Sequence, residues 1–195
     1  MSDLYHIPVS LKWKRDHFRN LSCFGSILND SGAVIIYFYL MEMEWIRLSI
    51  TPVKDLISFL TKKSKTNDIH KKRLYIELRD NLNVFSNAFL NEVSYDVLVE
   101  LLKNEAVQEA VKDNFSFKKL KAGKITEKDI YDERNKKYAG WDAEKMMDKI
   151  DEKIVELKNI KKMNNGSLAN TKNNIPLMMS NLYFRMKLMA DFIKG

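Results

Sequence analysis

Apolar side chains recur at helical spacing along most of the chain. One stripe consists of Leu74, Leu78, Leu82, Phe85 and Phe89. A second stripe consists of Ala143, Met147, Ile150, Ile154 and Leu157. Steps of three and four positions bring the members of each stripe onto one side of a helix. We therefore predict long helices over residues 69–92 and 142–163, each with one buried face.

Turn and capping residues place the boundaries of the other helices. They predict four more helical segments, at residues 52–63, 94–110, 126–138 and 176–194. A proline opens the first and the last of these segments, which suits the first turn of a helix. Ser94 and Asp142 are expected N-caps, because their side-chain oxygens can accept a free backbone N–H. Thr126, followed by Asp129, resembles a capping box.

The N-terminal part of the chain has a less regular pattern. Pro8, Gly25 and Gly32 interrupt residues 1–32, as turn-forming residues do. In residues 33–51 a stripe at helical spacing competes with the alternation typical of a strand, and we prefer the helix. The predicted organisation is an irregular N-terminal segment, residues 1–32, followed by an all-α domain, residues 33–195. This domain is a helical bundle of about six helices, three of them long.

Composition narrows the class of protein. The single cysteine, Cys23, excludes an internal disulfide framework and a four-cysteine zinc site. The longest apolar run covers residues 33–41 and is far shorter than the roughly 20 residues of a spanning helix. The N-terminus lacks the pattern of a signal peptide, so we expect a cytoplasmic protein without a membrane span. The excess of lysine over arginine, 26 to 7, favours an AT-rich bacterial genome.

Residues suited to catalysis or metal binding do not form a recognisable set. The three histidines, His6, His17 and His70, lack the paired spacing of a zinc site. Neither a phosphate-binding loop nor a nucleophile-elbow motif is present. Cys23 with His17, and the acidic helix faces, are the only candidates for an enzyme. We expect no catalytic, cofactor-binding or metal-binding residues and no cofactor.

Lysine-rich segments are the strongest positive signal. The first segment contains Lys62, Lys63, Lys65, Lys71, Lys72 and Arg73. The second contains Lys118, Lys119, Lys121 and Lys124, beside Phe115 and Phe117, and a third lies within residues 12–19. Basic side chains near a phosphate backbone release counterions and bind independently of sequence, and neighbouring aromatic rings can stack on unpaired bases. The alternative is that these segments only keep a helical protein soluble.

The last predicted helix is apolar on almost every side. Only Arg185, Lys187 and Asp191 are charged between residues 175 and 193. Such a helix is either central in its own fold or covered by a partner, and methionine is common at adaptable binding surfaces. The candidate partner-binding residues are Met178, Met179, Tyr183, Phe184, Met186 and Met189.

Two functional hypotheses follow from these patterns. The first is a non-enzymatic interaction or accessory subunit of a cytoplasmic, bacterial multiprotein assembly. Such a subunit would bind a protein partner or form a homo-oligomer. The alternative is a nucleic-acid-binding accessory protein that acts through residues 62–73 and 118–124. The net charge of +7 is unevenly distributed, because residues 61–92 carry seven basic and four acidic side chains whereas residues 126–163 carry ten of each.

Overall fold

The structure is a computed structural model that describes residues 50–169 and 171–195. These residues belong to one compact unit. Several predictions lie outside the described residues: the irregular segment 1–32, the helix or strand at 33–49, the basic segment 12–19, and Cys23 with His17.

Six α-helices form the described part of the chain. They are α1 (Ile50–Lys63), α2 (Ile69–Leu90), α3 (Tyr95–Leu101), α4 (Glu105–Lys112), α5 (Ala143–Met163) and α6 (Ile175–Lys194). Three 3-10 turns lie between α4 and α5, at Phe117–Lys119, Glu127–Asp129 and Glu133–Tyr138. No strand occurs in residues 50–169 or 171–195. The predicted all-α class is confirmed, and α2, α5 and α6 are the three long helices, at 22, 21 and 20 residues.

Side-chain caps open each of the long helices. Asp68 accepts a hydrogen bond from the backbone N–H of Lys71 at the start of α2, over 3.1 Å. Asp142 accepts one from Lys145 at the start of α5, over 3.0 Å, as predicted. Asn174 accepts one from Leu177 at the start of α6, over 3.0 Å, whereas Ser94, at the N-cap of α3, makes no capping hydrogen bond through its side chain. Local capping therefore accounts for the sharp starts of the longest elements.

The core lies where α6 meets the other long helices. Helix α1 packs against α2, helix α5 packs against α6, and α6 also contacts α1 and α2. Both predicted stripes face this core: all of their members are buried except Phe89, which is half-buried against it. The surplus apolar surface of α6 is thus enclosed by several neighbours at once, as expected for a helix that is apolar nearly all round.

Two predicted helices are wrong in the same way. Residues 94–110 form two short helices instead of one, with an extended break at Leu102. Residues 126–138 form two 3-10 turns instead of an α-helix, although the capping box of Thr126 and Asp129 is present. In both segments, hydrogen bonds to helices distant in sequence prevent the segment from forming one continuous helix.

The break between α3 and α4 is held by Asn81 on α2. Its side-chain amide donates to the carbonyl oxygen of Lys103 over 2.7 Å and accepts from the N–H of Lys103 over 2.8 Å. One turn earlier, the carboxylate of Glu77 accepts from the N–H groups of Ala106 over 2.7 Å and Val107 over 3.3 Å. Helix α2 therefore supplies the hydrogen bonds that a continuous helix would make internally.

Candidate nucleic-acid interface

The two lysine-rich segments that the structure describes meet at the start of α2. The ammonium of Lys119, in the 3-10 turn after α4, lies 4.0 Å from the carboxylate of Asp68, the N-cap of α2. The ring of Phe115 packs 5.4 Å from the ring of His70 in the first turn of α2. Lys72 is one turn from Asp68 and shares its side of the helix. Segments about 50 residues apart in sequence thus form one patch.

The turn that carries Lys118 and Lys119 is positioned by the end of α4. Asn114 adopts a left-handed backbone conformation with φ of 53°, and the N–H of Phe115 returns to the carbonyl of Ala110 over 2.8 Å. Asparagine tolerates this conformation better than most residues. The chain therefore reverses, buries Phe115 and Phe117, and leaves the two lysines exposed to solvent.

We use the name basic cluster for the exposed lysines of this patch. Its members are Lys62, Lys63, Lys65, Lys72, Lys118 and Lys119. Lys62 and Lys63 end α1, and Lys65 lies in the turn that leads to Asp68. Asp68 is the only carboxylate in residues 62–73, and residues 114–124 contain none. The basic cluster therefore carries a net positive charge, opposed by Asp68 and, beside His70, by Asp113.

The other predicted residues have different surroundings. Arg73 forms a salt bridge with Glu109 of α4, and Lys71 is half-buried. The ammonium of Lys121 lies over the ring of Phe192 in α6, 5.9 Å from its centroid. Lys124 is exposed in the following loop. Arg73 and Lys121 are thus directed towards α4 and α6 and stand apart from the basic cluster.

The neighbouring aromatic residues face inward. Phe115 is 9% exposed and Phe117 is 2% exposed, and their rings pack edge to face at 5.6 Å. The ammonium of Lys119 lies over the ring of Phe115 at 5.4 Å. The expectation that these aromatics are available to stack on bases is therefore wrong, because core packing and a lysine already cover them.

The candidate partner-binding residues of α6 lie mostly within the core. Five are buried and Met178 is half-buried, and the buried five are Met179, Tyr183, Phe184, Met186 and Met189. They pack with α1, α2 and α5, so they do not form an exposed docking surface. Of the two explanations for the apolar character of this helix, the structure supports a central position in its own fold.

Ionisable groups in the interior serve packing and capping. Burial raises the pKa of Glu77 above its ordinary value, against the lowering effect of the hydrogen bonds from Ala106 and Val107. Beside Glu77, the amide of Asn104 donates to Asp151 of α5 over 2.6 Å. The cavity among these residues has a volume of about 10 Å³, enough for no more than one water. The arrangement is too small to admit an organic substrate.

The carboxylate of Asp191 in α6 is a second ionisable group with a structural role in the interior. Burial raises its pKa, while the hydrogen bond and charge of Lys187 oppose the increase. The two side chains are joined over 2.7 Å and both are largely covered. In the part of the chain that the structure describes, no three potential metal ligands come together. His70, the one predicted histidine within this part, lies 3.4 Å from Asp113 through Nε2.

Sequence reasoning missed the polar contacts that bind the α3–α4 break to α2 and α5. Glu77 and Asn81 are spaced four apart on α2, and both are buried. Buried carboxylate and amide groups are rare unless they are hydrogen-bonded. The sequence did offer one signal: Glu77 and Asn81 lie next to the Leu74 and Leu78 stripe. Positions that close to an apolar stripe are usually covered, and the exposed face of a helix lies further round.

No protein-family model matches this chain, and no curated protein or solved structure shows detectable similarity to it. Among the described helices, none combines the length and the apolar composition needed to cross a bilayer. Function is therefore inferred from the chemistry of the chain itself.

Proposed function

We propose that the protein is a non-enzymatic accessory protein that binds nucleic acid through the basic cluster. The observation that carries this proposal is the meeting of two lysine-rich segments at Asp68, where Lys119 lies 4.0 Å from the carboxylate. The approach of two lysine-rich segments raises the local positive charge above that of either segment alone. On composition alone, we place this function in a bacterial cytoplasm.

Electrostatics supports a phosphate backbone as the ligand. Each lysine of the basic cluster presents a compact charge on a flexible stem, which suits phosphate oxygens. Replacing condensed counterions on a nucleic acid by these ammonium groups releases the counterions and favours binding. Asp68 does not cancel this effect, because it is one carboxylate among six lysines and is already engaged in capping α2.

Charge reversal within the basic cluster tests the proposal. The test variant carries Lys65→Glu, Lys72→Glu and Lys118→Glu. The control variant carries Lys128→Glu, Lys162→Glu and Lys172→Glu. All six side chains are exposed, and each variant changes the net charge by the same amount. Only the first variant alters the basic cluster, so a difference between the two reports on position and not on total charge.

Fluorescence anisotropy with a labelled duplex, measured between about 50 and 200 mM salt, supplies the readout. Wild-type and control proteins should bind with a steep salt dependence. The test variant should bind about a hundredfold more weakly or worse at 0.1 M salt, with a log–log slope reduced by about 0.9 for every phosphate that it no longer neutralises. Equal affinities for the two variants, or salt-insensitive binding by the wild type, would contradict the proposal.

A second proposal is self-association of the chain as an interaction subunit. Val97 and Leu101 are one turn apart on α3 and are 45% and 50% exposed, and adjacent exposed apolar residues are typical of contact surfaces. Light scattering should then show a homodimer that dissociates in the Val97→Asp, Leu101→Asp double variant. A wild-type protein that is monomeric at high concentration would rule this arrangement out.

A further inference from the structure

We infer that the nucleic acid bound by the basic cluster is a duplex, held by its phosphate backbones without stacking of bases on the protein. This inference rests on the proposed function and specifies its ligand. Two features of the described residues carry it: the aromatic rings beside the basic cluster are covered, and the neighbouring Arg73 is paired with Glu109.

The aromatic rings next to the basic cluster are not free to receive a base. Phe115 and Phe117 are buried against one another, and His70 packs against the ring of Phe115. Phe59 is half-buried, and the ammonium of Lys63 lies 5.6 Å from its centroid. Proteins that prefer single strands usually gain affinity by stacking successive bases on exposed aromatic side chains. Among residues 50–169 and 171–195, no such platform lies beside the basic cluster.

The donors of the basic cluster are better suited to phosphates than to planar, bidentate readout of base edges. Arginine recognises guanine with a planar, bidentate fork, but the guanidinium of Arg73 is bound to Glu109. The remaining groups are lysine ammoniums, which act as point charges. We therefore expect most of the binding energy to come from phosphates and the sequence preference to be weak.

Charge density then decides between duplex and single strand. A duplex carries about one negative charge per 1.7 Å of axis, and each contact releases about 0.9 counterion, compared with about 0.7 for a single strand. The slope of log affinity against log salt therefore differs by about 0.2 per contact. If four lysines contact phosphates and the two ligands bind equally at 1 M salt, the duplex binds about sixfold more tightly at 0.1 M salt. A stacking protein would show the reverse preference.

The experiment compares three labelled ligands of equal length with the full chain. They are a mixed-sequence duplex, an unstructured oligo-dT strand and an abasic single strand. We expect the duplex to bind about sixfold more tightly than oligo-dT at 0.1 M salt. We also expect the abasic strand to match oligo-dT, because bases contribute nothing to phosphate contacts. The variant Lys65→Glu, Lys72→Glu, Lys118→Glu should bind all three ligands more weakly.

The possible results separate the two proposals. Oligo-dT binding as tightly as the duplex, or an abasic strand binding more weakly than oligo-dT, would overturn the duplex inference while leaving nucleic-acid binding in place. Failure of all three ligands to bind at low salt would refute the proposed function, and the inference with it. Tighter binding of the duplex, with equal binding of oligo-dT and the abasic strand, supports both.

Discussion

The side-chain amide of Asn81 offers the sharpest test of how this fold is held. Asn81 is 2% exposed and makes two hydrogen bonds to the backbone of Lys103, at 2.7 and 2.8 Å. The variant Asn81→Ala removes both. Asn87→Ala is a matched control, because Asn87 lies on the same helix with an exposed side chain. Both variants gain the same helix propensity of about 0.6 kcal/mol, so their difference isolates the bridge.

The expected magnitude follows from the two hydrogen bonds that the variant removes. Each hydrogen bond contributes about 0.5–1.5 kcal/mol net, and a buried backbone group left without a partner costs about 1–3 kcal/mol. Water can reach part of the site because Lys103 itself is exposed. We therefore expect the free energy of unfolding of Asn81→Ala to be about 2–3 kcal/mol below that of Asn87→Ala.

Urea unfolding followed by circular dichroism measures this difference. With a slope of about 2 kcal/mol per molar urea, the midpoint of Asn81→Ala should lie about 1–1.5 M below that of the control. The slopes should agree, since both proteins expose the same surface on unfolding. Midpoints within about 0.2 M of each other, about 0.4 kcal/mol at that slope, would show that the bridge does not stabilise the α3–α4 break.

Three further perturbations test other contacts. Leu182→Ala in the buried centre of α6 should cost about 2–5 kcal/mol in thermal unfolding, whereas Leu177→Ala on its exposed side should cost less than about 0.5 kcal/mol. The pKa of Glu77 is raised in the folded protein, so protonation favours folding below the ordinary carboxyl pKa and this benefit disappears as pH rises through the folded pKa. The urea midpoints of wild type and Glu77→Gln should therefore diverge as pH rises above the ordinary carboxyl pKa, and a pH-independent gap would contradict this reasoning. Asp96 accepts hydrogen bonds from the N–H of Leu168 over 2.6 Å and the hydroxyl of Ser167 over 3.1 Å, and so holds the segment that leads to Lys172. Asp96→Ala should release this segment and speed tryptic cleavage at Lys172 several-fold. Glu92→Ala, the control, should leave the cleavage rate unchanged.

Helical periodicity was enough to predict α2 and α5, whereas Pro176 and the apolar composition of residues 175–193 predicted α6. In α2 and α5 the apolar stripe recurs over about four turns, so one buried face is unambiguous even without knowledge of the neighbouring helix. Asp142 and Pro176 then placed the starts of α5 and α6 within about one residue, because caps and first-turn prolines act through the local backbone. Interactions of this kind involve only residues a few positions apart, and the sequence alone is therefore enough to predict them.

Only part of the candidate site could be predicted from the sequence. The lysines of residues 62–65 and 118–119 stand out in the sequence as charge runs. Their meeting at Asp68, and the inward orientation of Phe115 and Phe117, depend on the reversal of the chain after α4. A charge run shows where charge is concentrated, but the path of the backbone decides which runs become neighbours.

The sequence by itself determined the all-α class, the long helices and the lysine-rich segments. Tertiary structure decided the break at residues 102–104 and the 3-10 turns at 127–138. At the break, Asn81 and Glu77 bind backbone groups more than 20 residues away, and in the second segment Asn135 donates to the carbonyl of Phe184 over 3.2 Å. Helix propensity is worth only tenths of a kcal/mol per residue, so a few buried hydrogen bonds from distant residues outweigh it.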